Sequence, residues 1–217
     1  MPTLTHHDKI AVLDLGDTEN RFAPELLTEI GTHLDTVLAD GSQALITTAT
    51  GKFYSNGLDL DWLSAHGERA EWYVAQVQSL LARLLTFPMP TAAALNGHAF
   101  GAGAMLAIAH DYRVMRADRG FFCFPEADIR IPFTRGMAAL IQAKLTPKTA
   151  IAAMTTARRY GGPDALAVDL VDATAEAETL TAAALGILGP IGAKDQATLT
   201  AIKSTMFAPA VAALADA

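Results

Sequence analysis

Two short segments of small residues could supply backbone N–H groups to a ligand. They are Ser55-Asn56-Gly57-Leu58-Asp59 and Gly97-His98-Ala99-Phe100-Gly101-Ala102-Gly103, and each stands between a predicted strand and a predicted helix. N–H groups at the start of a helix bind anions or developing negative charge, and glycine or alanine lets a carbonyl group come close. Together the two turns could present two donors to one oxygen atom. On composition alone, turns like these more often serve chain reversal and packing.

A single carboxyl group stands out in an apolar segment. Glu126 is the only glutamate between Glu71 and Glu176. Burial among aromatic and aliphatic side chains would raise the pKa of its carboxyl group toward neutrality and suit it to proton transfer. The residues alone leave open the alternative that this glutamate faces water, as most carboxylates do. The apolar neighbours in the sequence are Phe121, Phe122, Phe124 and Ile129.

The other candidate residues favour structural roles. His98 and the pair His110-Asp111 are not accompanied by a Gly-x-Ser-x-Gly nucleophile motif. Cys123 is expected to be a buried core residue. His6-His7 lies near the N-terminus, where a solvated polar stretch is more common than a metal site. We therefore predict no metal.

The composition predicts one globular domain over residues 1–217 without a nucleic-acid partner. Hydrophobic residues make up 51% of the chain, charged residues make up 18%, and the formal net charge is −7. An acidic chain without clustered Lys and Arg is poorly suited to bind phosphate backbones. The single cysteine excludes an intrachain disulfide and favours a cytoplasmic location. Membrane insertion is not expected, because no apolar run of about 18 residues is present.

Hydrophobic periodicity and turn residues predict an α/β fold with a helical C-terminal part. Strands are predicted at 10–15, 44–49, 91–95, 112–115 and 121–124, and helices at 24–38, from Asp59, at 68–85 and at 101–109. Beyond Pro132, proline and glycine separate segments that are mostly helical. The pattern places an alternating core at about residues 1–160 and a helical portion at about 161–217.

Three ordered segments resemble the core of the enoyl-CoA hydratase/isomerase (crotonase) superfamily. They are GKFYSNGLDLDWL, FPMPTAAALNGHAFGAGAMLAIAHDYRVM and GFFCFPEADIRIPF, and residues 158–161 and 165–172 resemble a further family segment. The resemblance covers nearly the whole chain and is strongest to monofunctional plant-type 3-enoyl-CoA to 2-enoyl-CoA isomerases. It implies an α/β superhelix of ββα units, with C-terminal helices that complete a homotrimer or a hexamer. The C-terminal portion is shorter than is usual for the family.

The resemblance implies roles for individual residues. The backbone amides of Leu58 and Ala102 would form an oxyanion hole for a thioester carbonyl, with Glu126 as the acid and base. Family members usually carry glycine at the second amide, so Ala102 departs from the pattern. Hydratases of the family generally use two glutamates, and Met105 occupies the position of the first. One carboxyl group suits isomerisation, because it can remove a proton from C2 of a 3-enoyl thioester and return it at C4.

The resemblance also indicates substrate contacts. Residues of the first turn are expected to bind the acyl-CoA, and two lysines match family positions that hold the CoA phosphates or its adenosine end. Either lysine could equally be an ordinary surface residue. The residues expected to bind substrate are Lys52, Asn56, Gly57, Asp59, Leu60 and Lys203.

The function predicted by the resemblance is a 3-enoyl-CoA to 2-trans-enoyl-CoA isomerase of fatty acid degradation. No cofactor is expected, because CoA is part of the substrate. An enoyl-CoA hydratase that uses Glu126 with a second group is an alternative. A catalytically weak acyl-CoA-binding protein that keeps the family fold is another.

Overall fold

The computed structural model describes residues 1–216, which form nine strands and eleven α-helices. The first half of the chain contains β1 (Thr3–His7), β2 (Ile10–Asp14), α1 (Pro24–Ala39), β3 (Ala44–Thr48), β4 (Phe53–Ser55), α2 (Leu60–Ala65), α3 (Ala70–Leu85), β5 (Thr91–Leu95), β6 (His98–Phe100) and α4 (Ala102–Ala109). The second half contains β7 (Tyr112–Arg116), β8 (Phe122–Cys123), α5 (Glu126–Ile129), α6 (Arg135–Lys144), α7 (Pro147–Thr156), α8 (Gly162–Ala167), β9 (Ala173–Ala175), α9 (Leu180–Leu188), α10 (Gln196–Met206) and α11 (Ala208–Ala215).

The strands form two sheets that follow a ββα repeat. The larger sheet has the order β1-β2-β3-β5-β7-β9, and the smaller sheet has the order β4-β6-β8. Only β1 pairs antiparallel with its neighbour. The pairs β3-β4, β5-β6 and β7-β8 each send one strand to each sheet before the chain enters a helix. The ββα units predicted for this chain are therefore present.

The central strands of the large sheet are buried on both faces, as is typical of parallel strands. All five residues of β3 are buried, and so are all five of β5. Parallel strands joined by helical crossovers are covered on both sides and therefore carry continuous apolar runs. One face packs on α1, α3 and α4, and the other face packs on α9. Every residue of α4 is buried, so this helix lies inside the domain.

Several short strands differ from the sequence-based prediction. β1 includes His6 and His7, which were expected to be a solvated polar stretch, and four of its five residues are exposed. β4 and β6 are three residues long and were not predicted; β4 ends at the start of the first predicted turn, and β6 lies inside the second. β9 lies in the portion predicted to be helical, and Ala173 pairs with Val114 of β7. Three residues that pair with distant strands carry too little periodicity to be recognised locally.

The last two helices close the domain. Gln78 Nε2 on α3 donates a 3.0 Å hydrogen bond to Leu214 O on α11, which packs against both α3 and α6. Within residues 1–216, no single helix is long and apolar enough to span a bilayer. Only α10 and α11 taken together reach that length and composition, and a bend of 77° separates them.

A buried ion pair ties α10 to the large sheet. Lys203 Nζ lies 2.6 Å from Asp111 Oδ2 and donates a 2.9 Å hydrogen bond to Met89 O. The same Asp111 oxygen accepts a 2.9 Å hydrogen bond from Thr91 N at the start of β5. The Lys203 side chain is only 6% exposed, so its charge is compensated almost entirely by this one carboxylate.

We predict that Lys203→Ala lowers the free energy of unfolding by about 3 kcal/mol, because it leaves Asp111 partly buried without its cation. Urea denaturation followed by circular dichroism measures the change. Lys148→Ala is the matched control, since Lys148 is exposed on α7, and should change stability by less than about 0.5 kcal/mol. Equal denaturation midpoints for the two variants would contradict the structural role of Lys203.

Candidate functional site

The candidate site is a cavity of about 380 Å³ where the two small-residue turns meet α5. This size lies within the range of pockets that hold small molecules. Its walls are mainly apolar, and its ionisable groups are one arginine and two carboxyl groups. The lining residues are Arg21, Asn56, Leu58, Leu60, Asp61, Phe100, Gly101, Ala102, Pro125, Glu126, Ile129 and Ile131.

A close backbone approach brings the first turn against the start of α4. Gly57 has φ +79°, and a Cβ atom there would lie 2.7 Å from Phe100 O and 2.9 Å from Ala102 N. Only glycine fits both the conformation and the space. Ser55 Oγ accepts a 3.1 Å hydrogen bond from Gly57 N and donates a 2.7 Å hydrogen bond to Asn20 O. Hydrogen bonds of Ser55 Oγ to Gly57 N and to Asn20 O therefore fix the conformation of the turn.

The approach leaves two backbone amides free beside the cavity. Ala102 is the first residue of α4, so its N–H has no acceptor within the helix. Neither this N–H nor that of Leu58 donates a hydrogen bond within residues 1–216. The positive φ in this turn belongs to Gly101, at +52°, whereas Ala102 has a helical conformation. The methyl group of Ala102 is thus tolerated without backbone strain.

Glu126 places a partly buried carboxyl group next to this turn. It begins α5, and its Oε1 lies 3.5 Å from the position that a Cβ atom would take on Gly101. Its Oε2 is buried and has no hydrogen-bond partner among the described residues. Burial raises the pKa of Glu126 to about 7. Phe124 is fully buried, while Phe121 is 40% exposed, and neither lines the cavity.

The other predicted substrate-binding residues divide into three groups. Asn56 and Leu60 line the cavity. Asp59 supports the wall instead, because its carboxylate caps α2 through a 3.0 Å hydrogen bond from Trp62 N. Lys52 is exposed and does not line the cavity, and its ammonium lies 5.4 Å from the centre of the Phe53 ring. Lys203 is not brought to this cavity, because its ammonium is buried against Asp111 and Met89.

The cavity also contains an ion pair that no sequence motif predicted. Arg21, in the loop between β2 and α1, donates from Nη1 to Asp61 Oδ2 at 2.7 Å. Its Nε also donates to Glu19, and this hydrogen bond lowers the pKa of Glu19. Arg21 and Asp61 are 40 residues apart in the chain. The pairing of two polar loop residues at that separation depends on the fold.

We predict that Glu126→Gln makes the protein more stable at pH 8 by about 2 kcal/mol, with no gain near pH 4. The folded-state pKa of about 7 lies above the ordinary glutamate value of 4.5. The folded protein therefore binds this proton more tightly than the unfolded chain, and stability falls as pH rises from about 4.5 to about 7. Glutamine carries no charge and removes this loss.

Urea midpoints of both proteins at the two pH values measure the effect. Glu71→Gln is the control, because Glu71 is exposed on α3, and it should show no comparable difference between pH 4 and pH 8. A stability change in Glu126→Gln that is the same at both values would show that the carboxyl is not desolvated.

Comparison with known proteins extends these observations to the whole chain. The model of the enoyl-CoA hydratase/isomerase family matches residues 5–217. The peroxisomal enoyl-CoA delta isomerase 2 of Arabidopsis thaliana is 37% identical over 185 residues, which cover 81% of this chain and 77% of that protein. The predicted family is thus confirmed.

Solved structures share the fold. A probable enoyl-CoA hydratase from Mycobacterium tuberculosis superimposes with a TM-score of 0.91 at 26% identity, covering 98% of this chain and 91% of that one. The human mitochondrial delta3-delta2-enoyl-CoA isomerase has the same fold, with a TM-score of 0.87 at 23% identity over 97% of this chain and 84% of that chain. The predicted crotonase-type fold is confirmed, and the chain is an enzyme that belongs to the enoyl-CoA hydratase/isomerase family.

Proposed function

We propose that this enzyme converts 3-enoyl-CoA thioesters to 2-trans-enoyl-CoA thioesters. The observation that carries the proposal is the pairing of one desolvated carboxyl group, Glu126, with two unbonded backbone amides at the same cavity. Deprotonation next to a thioester carbonyl needs a base at the C–H bond and donors at the oxygen. Both are provided by this arrangement.

The amides of Leu58 and Ala102 serve as the oxyanion hole. When the proton leaves C2, negative charge develops on the thioester oxygen, and N–H donors fixed before the reaction stabilise this charge without reorganising. The amide of Ala102 is also at the N-terminus of α4, where the helix dipole adds positive potential. This geometry supports the enolate route.

Glu126 moves the proton from C2 to C4. Its carboxylate accepts the C2 proton, and the electron pair of the C–H bond delocalises into the thioester carbonyl, giving a dienolate that extends across C3 to C4. The resulting acid returns the proton at C4, and the enolate oxygen becomes a carbonyl again. The double bond then lies between C2 and C3, and no proton is gained or lost overall. A pKa of about 7 suits a group that must accept and return a proton near neutral pH.

Isomerisation is favoured over hydration because the cavity lacks a second free carboxyl group. Met105, at the position where hydratases carry a glutamate, is an apolar residue and only 1% exposed. The other carboxyl group that lines the cavity belongs to Asp61, which is paired with Arg21 and whose side chain is 90% exposed. A thioether cannot activate water. The name of the Arabidopsis relative as an isomerase gives independent support.

The remaining features of the proposal concern binding and assembly. Asn56 and Leu60 contact the substrate along the cavity wall, and exposed Lys52 binds a CoA phosphate from outside it. The reaction requires neither a metal nor a redox cofactor, because CoA already activates the acyl group. A homotrimer or hexamer and a cytoplasmic location stay predictions from the sequence.

We predict that purified enzyme isomerises 3-enoyl-CoA faster than it hydrates 2-enoyl-CoA, and that Glu126→Gln lowers kcat/KM for isomerisation by about 1000-fold. In the wild type, kcat/KM should rise with pH and level off above about 7, because the free enzyme must hold Glu126 as a carboxylate. Steady-state assays with each thioester from pH 5 to pH 9 measure both.

The same assays separate the alternatives. Faster hydration than isomerisation would identify a hydratase. Retained isomerase activity in Glu126→Gln would remove this residue from the mechanism, and thioester binding without turnover in the wild type would favour the binding protein.

We also predict that Gly57→Ala lowers kcat by at least about 100-fold, as expected when an oxyanion donor is lost. The added methyl group would meet Ala102 N and Phe100 O, so the turn and the start of α4 must separate. Gly31→Ala is the matched control, because a Cβ atom there has no neighbour within 4 Å. Similar kcat values for the two variants would argue against these amides as donors.

A further inference from the structure

A second cavity lies at α10, on elements that do not form the catalytic site. Its volume is about 440 Å³, and it shares no lining residue with the first cavity. It opens between the start of β5, the start of β7, the end of α6 and α10. The lining residues are Pro90, Asp111, Tyr112, Lys144, Ile191, Lys194, Leu199, Ile202, Lys203, Met206 and Phe207.

The charges around this second cavity do not balance. Lys144, Lys194 and Lys203 line it together with a single carboxylate, that of Asp111. Asp111 is already used, because its Oδ2 lies 2.6 Å from Lys203 Nζ and accepts a hydrogen bond from Thr91 N. Two ammonium groups therefore face the cavity without a carboxylate of their own.

Lys144 is the less solvated of these two groups. It ends α6, its side chain is half-buried, and its Nζ lies 5.3 Å from the centre of the Phe207 ring. Within residues 1–216 its ammonium has no hydrogen-bond acceptor and no ion pair. Burial, together with the nearby charges of Arg113 and Lys203, lowers the pKa of Lys144 to about 8. Lys144 Nζ is not among the buried unpartnered atoms of residues 1–216, so water reaches it and a bound anion would take the place of that water.

The walls around Lys144 are apolar and partly open to solvent. Leu199, Ile202 and Met206 project from α10, and the last two are 49% and 64% exposed. An inorganic anion would accept hydrogen bonds from the lysines but would leave the apolar walls in contact with water. A neutral lipid would cover the walls but would give Lys144 no acceptor. We propose that this cavity binds a carboxylate that carries an apolar chain, with the carboxylate on Lys144 and the chain along α10.

Binding of such a ligand is coupled to the protonation of Lys144. A carboxylate at the ammonium favours the charged form, so the ligand should bind more weakly as pH rises above about 8. The fixed charges around Lys144 act in both directions: Arg113 and Lys203 oppose its protonation, while Asp111 and Asp172 favour it. Exposed Lys194 adds positive potential at the opening.

Calorimetric titration of the full chain with octanoate tests the proposal. Lys144→Gln should weaken binding at this site about tenfold or more, and Lys194→Gln should weaken it less. Lys148→Gln should leave it unchanged, because Lys148 is exposed on α7 and does not line this cavity. Wild-type affinity should fall between pH 7 and pH 9. Isomerase activity of Lys144→Gln should stay at the wild-type level, since the lysine lies outside the catalytic cavity.

Several outcomes would overturn the proposal. Equal affinity of Lys144→Gln and wild type would remove the lysine from the site. Octanol binding as tightly as octanoate would show that no anion is needed, and phosphate binding as tightly would show that the apolar wall is not used. Displacement of octanoate by 3′-phosphoadenosine would assign the cavity to the nucleotide end of acyl-CoA. A tenfold loss of isomerase activity in Lys144→Gln would contradict the separation of this cavity from the catalytic site.

Discussion

The close backbone contact between Gly57 and the first turn of α4 is the constraint on which the catalytic site depends. No side chain fits at Gly57, because its α-carbon faces both Phe100 O and Ala102 N. A Cβ atom on Gly103 would likewise lie 2.7 Å from Ser55 Oγ. With both glycines in place, two chain segments more than 40 residues apart in sequence present neighbouring amides. An enolate oxygen needs such donors to be fixed before charge develops.

The ββα repeat explains why these segments meet. Each unit leaves the large sheet, adds a short strand to the small sheet and then enters a helix, so consecutive small-sheet strands end side by side. Leu58 lies in the turn after β4, Ala102 begins the helix after β6, and Glu126 begins the helix after β8. Parallel pairing of three short strands therefore brings three chemically different groups to one edge. The ββα repeat therefore positions the catalytic groups, and the buried large sheet forms the framework behind them.

Much of the large sheet could be predicted from the sequence, whereas the small sheet could not. β3 and β5 are five-residue buried strands made of apolar residues and threonine between turn signals, which local patterns reveal. β4 and β6 are three residues long within glycine-rich turns, and their pairing exists only once the repeat has formed. The catalytic residues became predictable through the family resemblance, since an isolated Glu126 or a glycine turn has ordinary structural explanations.

Two lysines also show where prediction from the sequence ends. Lys203 and Lys144 both follow an apolar residue in a helix, and no local motif assigns them different roles. Lys203 meets Asp111 across 92 residues of sequence and becomes part of the framework. Lys144 lies beside Phe207 and forms no ion pair within residues 1–216, and the nearby charges of Arg113 and Lys203 oppose those of Asp111 and Asp172. Which lysine serves structure and which remains available to a ligand is decided by tertiary contacts.

Glu126 and Lys144 thus share a physical situation despite their opposite charges. Each is largely withdrawn from water, each has a pKa shifted toward its neutral form mainly by burial, and neither has an internal ion-pair partner within the described residues. Arg113, by contrast, is more fully buried but is bonded to Asp172 and to two backbone carbonyls. Unpaired burial lowers stability and is retained where the group also faces a cavity. In the proposals made above, the cavity at Glu126 admits a thioester C–H bond, and the cavity at Lys144 admits a carboxylate.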